Sequence, residues 1–107
     1  MEQMNDKSAI ERVLREAGGR PVVLACLSYR CKHCRNLMPF LEEKCQAMPD
    51  VIFKKMDVNA SQDLAYEFGV TSVPICFLYL NGVLCYQVMG DNKALLMDNI
   101  TELRNRN

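Results

Sequence analysis

Residues Pro21 to Ser28 contain an unbroken apolar run, Val22-Val23-Leu24-Ala25-Cys26-Leu27. A strand with one solvated face alternates apolar and polar residues. This one does not alternate, so it is expected to be a strand covered on both faces. That requirement calls for helices on either side of a sheet, and the flanking sequence supplies them. Residues 8–17 place Ile10, Val13, Leu14 and Ala17 at helical spacing, with Ser8 and Glu11 as a capping box and Gly18-Gly19 as the stop. From Cys31 to Met48, apolar residues at 34, 37, 38, 41, 45 and 48 draw a second helical stripe, which Pro39 is expected to kink.

The rest of the chain extends this pattern. Val51 to Val58 reads as a strand. Asn59 is expected to cap a short helix running to Phe68, with Gln62 as its capping-box partner and Gly69 as its stop. Ile75–Leu80 and Val83–Met89 flank Asn81-Gly82, a two-residue hairpin signal, and read as two buried strands. Asn92 is expected to cap a last helix with Leu96, Ile100 and Leu103 on one face, and residues 2–5 to add a short edge strand. A βαβ unit followed by a hairpin and a helix makes an α/β sandwich around a mixed central sheet. At 107 residues it forms a single domain, 1–107.

Thirteen Lys and Arg balance thirteen Asp and Glu. Zero formal charge argues against a nucleic-acid partner or a polybasic membrane surface. Phe68 to Gly90 is uncharged and long enough to span a bilayer, but Pro74, Asn81-Gly82 and Gln87 break it into strands. Glu2, Asp6, Lys7, Glu11, Arg12, Arg15 and Glu16 interrupt any secretory h-region, so the expected location is cytoplasmic. Six cysteines in a reducing compartment point to a redox or metal site plus buried thiols.

The chemistry is carried by Cys31-Lys32-His33-Cys34, at the point where the buried strand gives way to the second helix. Zinc needs four ligands and no second Cys or His pair exists, so no metal is expected; a shared iron–sulfur cluster is equally disfavoured. A dithiol at a helix start can close a small disulfide ring. Cys31 faces the unpaired N–H groups of the first turn, which stabilise a thiolate, and is the natural nucleophile. Cys34 lies on the apolar stripe and is the resolving thiol. Arg30, Lys32, His33 and Arg35 all push the Cys31 pKa down. Cys26, Cys45, Cys76 and Cys85 are expected to be inert core thiols, and Met38, Met48 and Met56 core filler.

These motifs together resemble the thioredoxin family over essentially the whole chain. Val22–Ser28 before the dithiol, Pro39 in the helix, Val73-Pro74 before a strand, Asn81-Gly82 and Gly90 all fall at the family's spacing. Val51-Ile52-Phe53, Asp57-Val58 and Gly90-Asp91-Asn92-Lys93 look most like animal-type members. The resemblance implies a three-layer α/β/α thioredoxin fold and a thiol–disulfide oxidoreductase. Cys31 would attack, Cys34 would resolve, and a cis Pro74 would pack beside the disulfide. The Val73 backbone would pair with an extended client segment. It further implies a monomer acting on disulfide-containing client proteins. A reductant such as thioredoxin reductase or glutathione would recharge it, with no cofactor beyond the Cys31–Cys34 disulfide. Four departures keep two alternatives open. Arg30 replaces a Trp, Lys32-His33 replaces Gly-Pro, and Ala25 stands where the family buries an Asp, beside which Lys55 would lie. A His before the second Cys resembles protein disulfide isomerases and favours a more oxidising exchanger. Ala25 and Arg30 favour a low-turnover adaptor or chaperone.

Overall fold

A computed structural model describes residues 1–106; the expected domain extent, 1–107, includes Asn107, which lies outside the described residues. In chain order the elements are β1 (Glu2–Gln3), α1 (Lys7–Glu16), β2 (Val22–Leu27), α2 (Lys32–Ala47), β3 (Ile52–Asp57), α3 (Gln62–Glu67), β4 (Ile75–Leu80), β5 (Val83–Met89) and α4 (Lys93–Arg104). The sheet order is β1-β3-β2-β4-β5. β1 and β2 run parallel to β3, whereas β4 is antiparallel to both β2 and β5.

Every residue of β2 is buried, as its lack of alternation requires. Its odd-numbered side chains, Val23, Ala25 and Leu27, pack with Leu37 and Leu41 of α2 and Leu96, Ile100 and Leu103 of α4. Its even-numbered ones, Val22, Leu24 and Cys26, pack with Ile10 of α1 and Leu64 and Ala65 of α3. Two helices per face give the three-layer sandwich. Burial of an aliphatic side chain stabilises by about 1.5–3 kcal/mol, so these two clusters hold the layers together.

The hairpin turn carries positive φ at both Asn81 (53°) and Gly82 (78°), the backbone that a primed two-residue turn needs. Asn92 caps α4 as expected, its Oδ1 accepting from the Leu95 N–H at 3.1 Å. The capping box expected of Ser8 and Glu11 does not form, because Asp6, two residues earlier, takes the cap. Asp6 accepts the Ala9 N–H at 2.8 Å, and Ser8 lies inside the helix and donates to Asp6. A carboxylate caps at least as well as a hydroxyl and adds favourable charge at the positive helix end. Asn59 does not cap α3 either. Asp57 accepts from the Asn59 and Ala60 N–H groups and holds that turn, and the helix begins after Ser61.

β5 is not the buried strand expected. It is the edge of the sheet, with Val83 and Met89 each 61% exposed and only Val88 fully buried. Leu78 pairs with Tyr86 and Tyr79 with Leu84, so Cys85 is the extra residue of a bulge and is half-buried. Cys45 is half-buried as well, at the margin of the cluster that holds Leu41. Cys26 and Cys76 are buried as expected.

Candidate active site

The β2–α2 junction presents two thiols in unlike surroundings. Cys31 is the N-cap of α2: its backbone is extended and its Sγ accepts the Cys34 N–H at 3.3 Å. Sulfur here takes the role that Ser or Asp oxygen has at an ordinary cap. Cys34, one turn in, is 1% exposed and packs with Leu37, Leu41, Ala25 and Cys76. The Ser28 N–H approaches its Sγ at 3.5 Å. Both are free thiols.

The surroundings split their acidities. A hydrogen bond from the Cys34 side chain, then the N–H groups of Cys34 and His33, then the Arg35 guanidinium hold the Cys31 pKa below its ordinary 9.0. Burial, then the same thiol–thiol bond, pushes Cys34 up to about 11. Of the four flanking cationic or potentially cationic residues, Arg35 contributes through charge and His33 through its main chain. Arg35 also donates from Nη1 to the Tyr29 carbonyl at 3.0 Å, tying the first turn of α2 to the loop before it. Arg30, Lys32 and His33 are exposed.

Across from Cys31 lies the turn that enters β4. The Val73–Pro74 peptide bond is cis, Pro74 is buried, and the Cys31 thiol points at the Val73 carbonyl at 3.8 Å. The Gly90 N–H donates to the Pro74 carbonyl at 2.8 Å, joining this turn to the end of β5. Thus Cys31, Cys34, Val73 and Pro74, 42 positions apart at their widest contact, form one site.

Beneath it, Ala25 is fully buried and stands in register with Lys55 on β3 and Cys76 on β4. No carboxylate occupies that position. A cavity of about 20 Å³, room for one water, is lined by Cys34, Met38, Lys55 and Asp57, with Leu27 and Tyr29. Two neighbours of the site escaped the sequence reading. Asp57 shares the sheet face of Lys55 by its period-two spacing, which was the available signal. Tyr29, 61% exposed, gave none: an aromatic residue after a buried run reads as the run's continuation.

The thioredoxin family model matches residues 2–102. Thioredoxin of Gallus gallus is 32% identical over 93 residues, covering 87% of this chain and 89% of the relative. The crystal structure of Fasciola hepatica thioredoxin superposes with a TM-score of 0.91 at 27% identity, covering 95% and 98% of the two chains. A structure described as showing the thiol-resolving mechanism of yeast mitochondrial 1-Cys peroxiredoxin via glutathione/thioredoxin systems superposes at 0.88, with 26% identity and coverage of 95% and 94%. These matches define the class as thioredoxin-fold thiol–disulfide oxidoreductases, and neither the isomerase-like exchanger nor the adaptor is favoured by them. The chain belongs to the thioredoxin family. Among the described residues no helix is long and apolar enough to cross a membrane.

Proposed function

We propose that Cys31 and Cys34 carry the disulfide-reducing activity, with Cys31 as nucleophile and Cys34 as resolving thiol. The supporting observation is the placement of two thiols one helical turn apart, the Cys31 Sγ capping α2 and Cys34 buried, which drives their pKa values in opposite directions. The Cys31 thiolate attacks one sulfur of a client disulfide. The new S–S bond forms as the client's breaks, and the departing client thiolate takes a proton. Cys34 gives up its proton and attacks the Cys31 sulfur. The mixed disulfide breaks and the second client thiolate leaves. Two electrons pass from the protein dithiol to the client, and a Cys31–Cys34 disulfide remains. The two sulfurs carry the electron pair themselves, so the reaction needs no metal or organic cofactor.

The Val73 carbonyl faces Cys31, with the cis Pro74 next in the chain. An extended client segment pairs with the Val73 main chain there and brings its disulfide to the sulfur. Arg30, Lys32 and His33 border the approach. Clients are disulfide-containing proteins, the protein works as a monomer in the cytoplasm, and an external reductant such as thioredoxin reductase or glutathione restores the dithiol. The test is insulin reduction with dithiothreitol, repeated with NADPH and thioredoxin reductase. Activity in both arms is expected. Loss of turnover in Cys31→Ser, with mixed disulfides accumulating in Cys34→Ser, assigns the roles. The reverse pattern would overturn the assignment, and activity with dithiothreitol alone would replace the reductase with another donor.

A further inference from the structure

The basic side chains around Cys31 stand where the fold has no use for them. Partial positive charge already gathers at a helix N-terminus, so stability favours acidic residues there. The first turn of α2 contains none, and Lys32 and His33 occupy it instead, with Arg30 just before. Several other cations of the chain are paired, Lys54 with Glu2 at 2.8 Å, Arg104 with Asp50 at 2.8 Å and Lys93 with Asp91 at 3.7 Å. Arg12 and Arg15 on α1 are exposed without an ion pair among the described residues, but they stand apart from any reactive group. Arg35 has the Tyr29 carbonyl. Among the described residues, the side chains of Arg30, Lys32 and His33 make no ion pair and no hydrogen bond, and all three are exposed. The chain's net charge is zero, so this is a local patch on a balanced protein. Tyr29 adds an exposed aromatic ring beside Arg30, and Tyr and Arg are residues that contact surfaces favour.

We propose that Arg30, Lys32 and His33 form a docking rim for client segments in which Asp or Glu residues flank the reducible disulfide. This rests on the reading of Cys31 as the attacking sulfur and names its substrate class. The cations Arg30 and Lys32 lie on either side of Cys31 in sequence, with His33 beside Lys32. Carboxylates on either side of a bound client cysteine meet them, while the client backbone lies along Val73. Complementary charge raises the encounter rate, by about 10- to 1,000-fold for strongly steered pairs, and the gain fades with salt. It also excludes basic clients, because like charges at the rim repel.

The test uses three peptides with the same internal disulfide, flanked by Glu, by Ser or by Lys. The dithiothreitol-reduced protein, freed of excess reductant, is mixed with each, and single-turnover rates are read between low and high salt. The expected order is Glu over Ser over Lys. The Glu-to-Lys ratio should be about tenfold or more at low ionic strength and shrink towards unity near 1 M, where the screening length is about 3 Å. The ratio is read within one protein, so any change in Cys31 reactivity cancels. Arg30→Gln with Lys32→Gln should collapse the ratio, and Arg30→Glu with Lys32→Glu should invert it. Equal rates for the three peptides, or a ratio that the variants leave unmoved, would overturn the proposal. Docking is read without chemistry by titrating amide resonances with the same peptides carrying Ser for both Cys. The Glu peptide is expected to move residues 29–33 and the Lys peptide is not. If reduction fails with every peptide while this shift persists, the reading of Cys31 is wrong and the rim stands. If the shift is absent or equal for both, the rim is wrong.

Discussion

Two pairs of thiols flank the end of β2, and their chemistry diverges. Cys26 and Cys76 lie inside the sheet on neighbouring strands, where burial pushes each pKa up to about 12. Cys31 and Cys34 lie one loop further on, and there one pKa falls while the other rises only to about 11. The residue type is the same in all four. What differs is burial first, which raises Cys26, Cys76 and Cys34, and then donors. Cys31 takes a hydrogen bond from the Cys34 thiol and the unpaired N–H groups of the first turn of α2, whereas a strand interior spends its own on the ladder. A reactive cysteine is thus a position in the fold, reached here by ending a buried strand and beginning a helix within four residues.

The largest consequence is reactivity. Thiolate fraction sets the alkylation rate. At pH 7 a thiol below its ordinary value and one near 12 differ by about 1,000-fold or more in thiolate before access is counted. Iodoacetamide with peptide mapping should label Cys31 first, with Cys26 and Cys76 modified only on unfolding. Labelling of Cys76 at a rate comparable to Cys31 would erase the distinction.

The interior pair should also make the fold sensitive to alkali. Cys26, Cys76 and Tyr79 all have folded pKa values raised to about 12 by burial, from ordinary values of 9.0, 9.0 and 10.0. The unfolded chain loses these protons first. Their contribution is therefore complete below pH 9 and is lost as pH climbs towards 12. Each group steepens the decline by about 1.4 kcal/mol per pH unit within its window. Cys31, with its lowered pKa, works in the opposite sense. Urea unfolding from pH 8 to 11 should show the decline, flattened in Cys26→Ala/Cys76→Ala. An unchanged slope would mean that the interior thiols are not the cause.

How much of this contrast the sequence carries follows from the range of each interaction. The buried strand, the helical stripe of α2 and the Asn81-Gly82 turn are local patterns, and all three fold as read. So is the order of burial at the site, because Cys34 continues the stripe of Leu37 and Leu41 and Cys31 precedes it. The failures are competitions between near neighbours. Asp6 displaces Ser8 as a cap, and Asp57 takes the N–H groups that Asn59 was expected to organise. The exposure of β5 is a different kind of miss. Strand order decides which strand is an edge, and apolar content along Val83–Met89 does not reveal it. His33 is a different case: its N–H is among the groups that lower the Cys31 pKa, a main-chain contribution that its residue type does not signal.

Ala25 allows the contrast to be altered from below. A thiol held near 11 must lose its proton before it can resolve, and Ala25 offers no acceptor. Slow resolution follows, with a Cys31–client intermediate detectable by acid quench in the unmutated protein. Ala25→Asp places a carboxylate in the cluster with Cys34 and opposite Lys55. It should speed the second step on the order of 100-fold, the low end for a positioned general base. The cost in stability should be about 1–3 kcal/mol for the buried polar group. An unchanged second step would assign the proton to another acceptor.

The smallest effect separates the main chain from the side chain at residue 33. His33 is the second residue of α2, where a proline fits because the N–H has no partner within the helix. That N–H is one of the groups holding the Cys31 thiolate. His33→Pro deletes it together with the imidazole, whereas His33→Ala deletes the imidazole alone. Losing a thiolate donor weakens the dithiol form relative to the disulfide, so the couple becomes more reducing. One lost donor worth about 1.4 kcal/mol corresponds to roughly 30 mV for two electrons. His33→Pro should therefore move the potential by about that amount towards negative values in a glutathione redox buffer, and His33→Ala should move it much less. Equal shifts in the two variants would return the effect to the imidazole. A shift of His33→Pro to less negative values would remove residue 33 from thiolate stabilisation altogether.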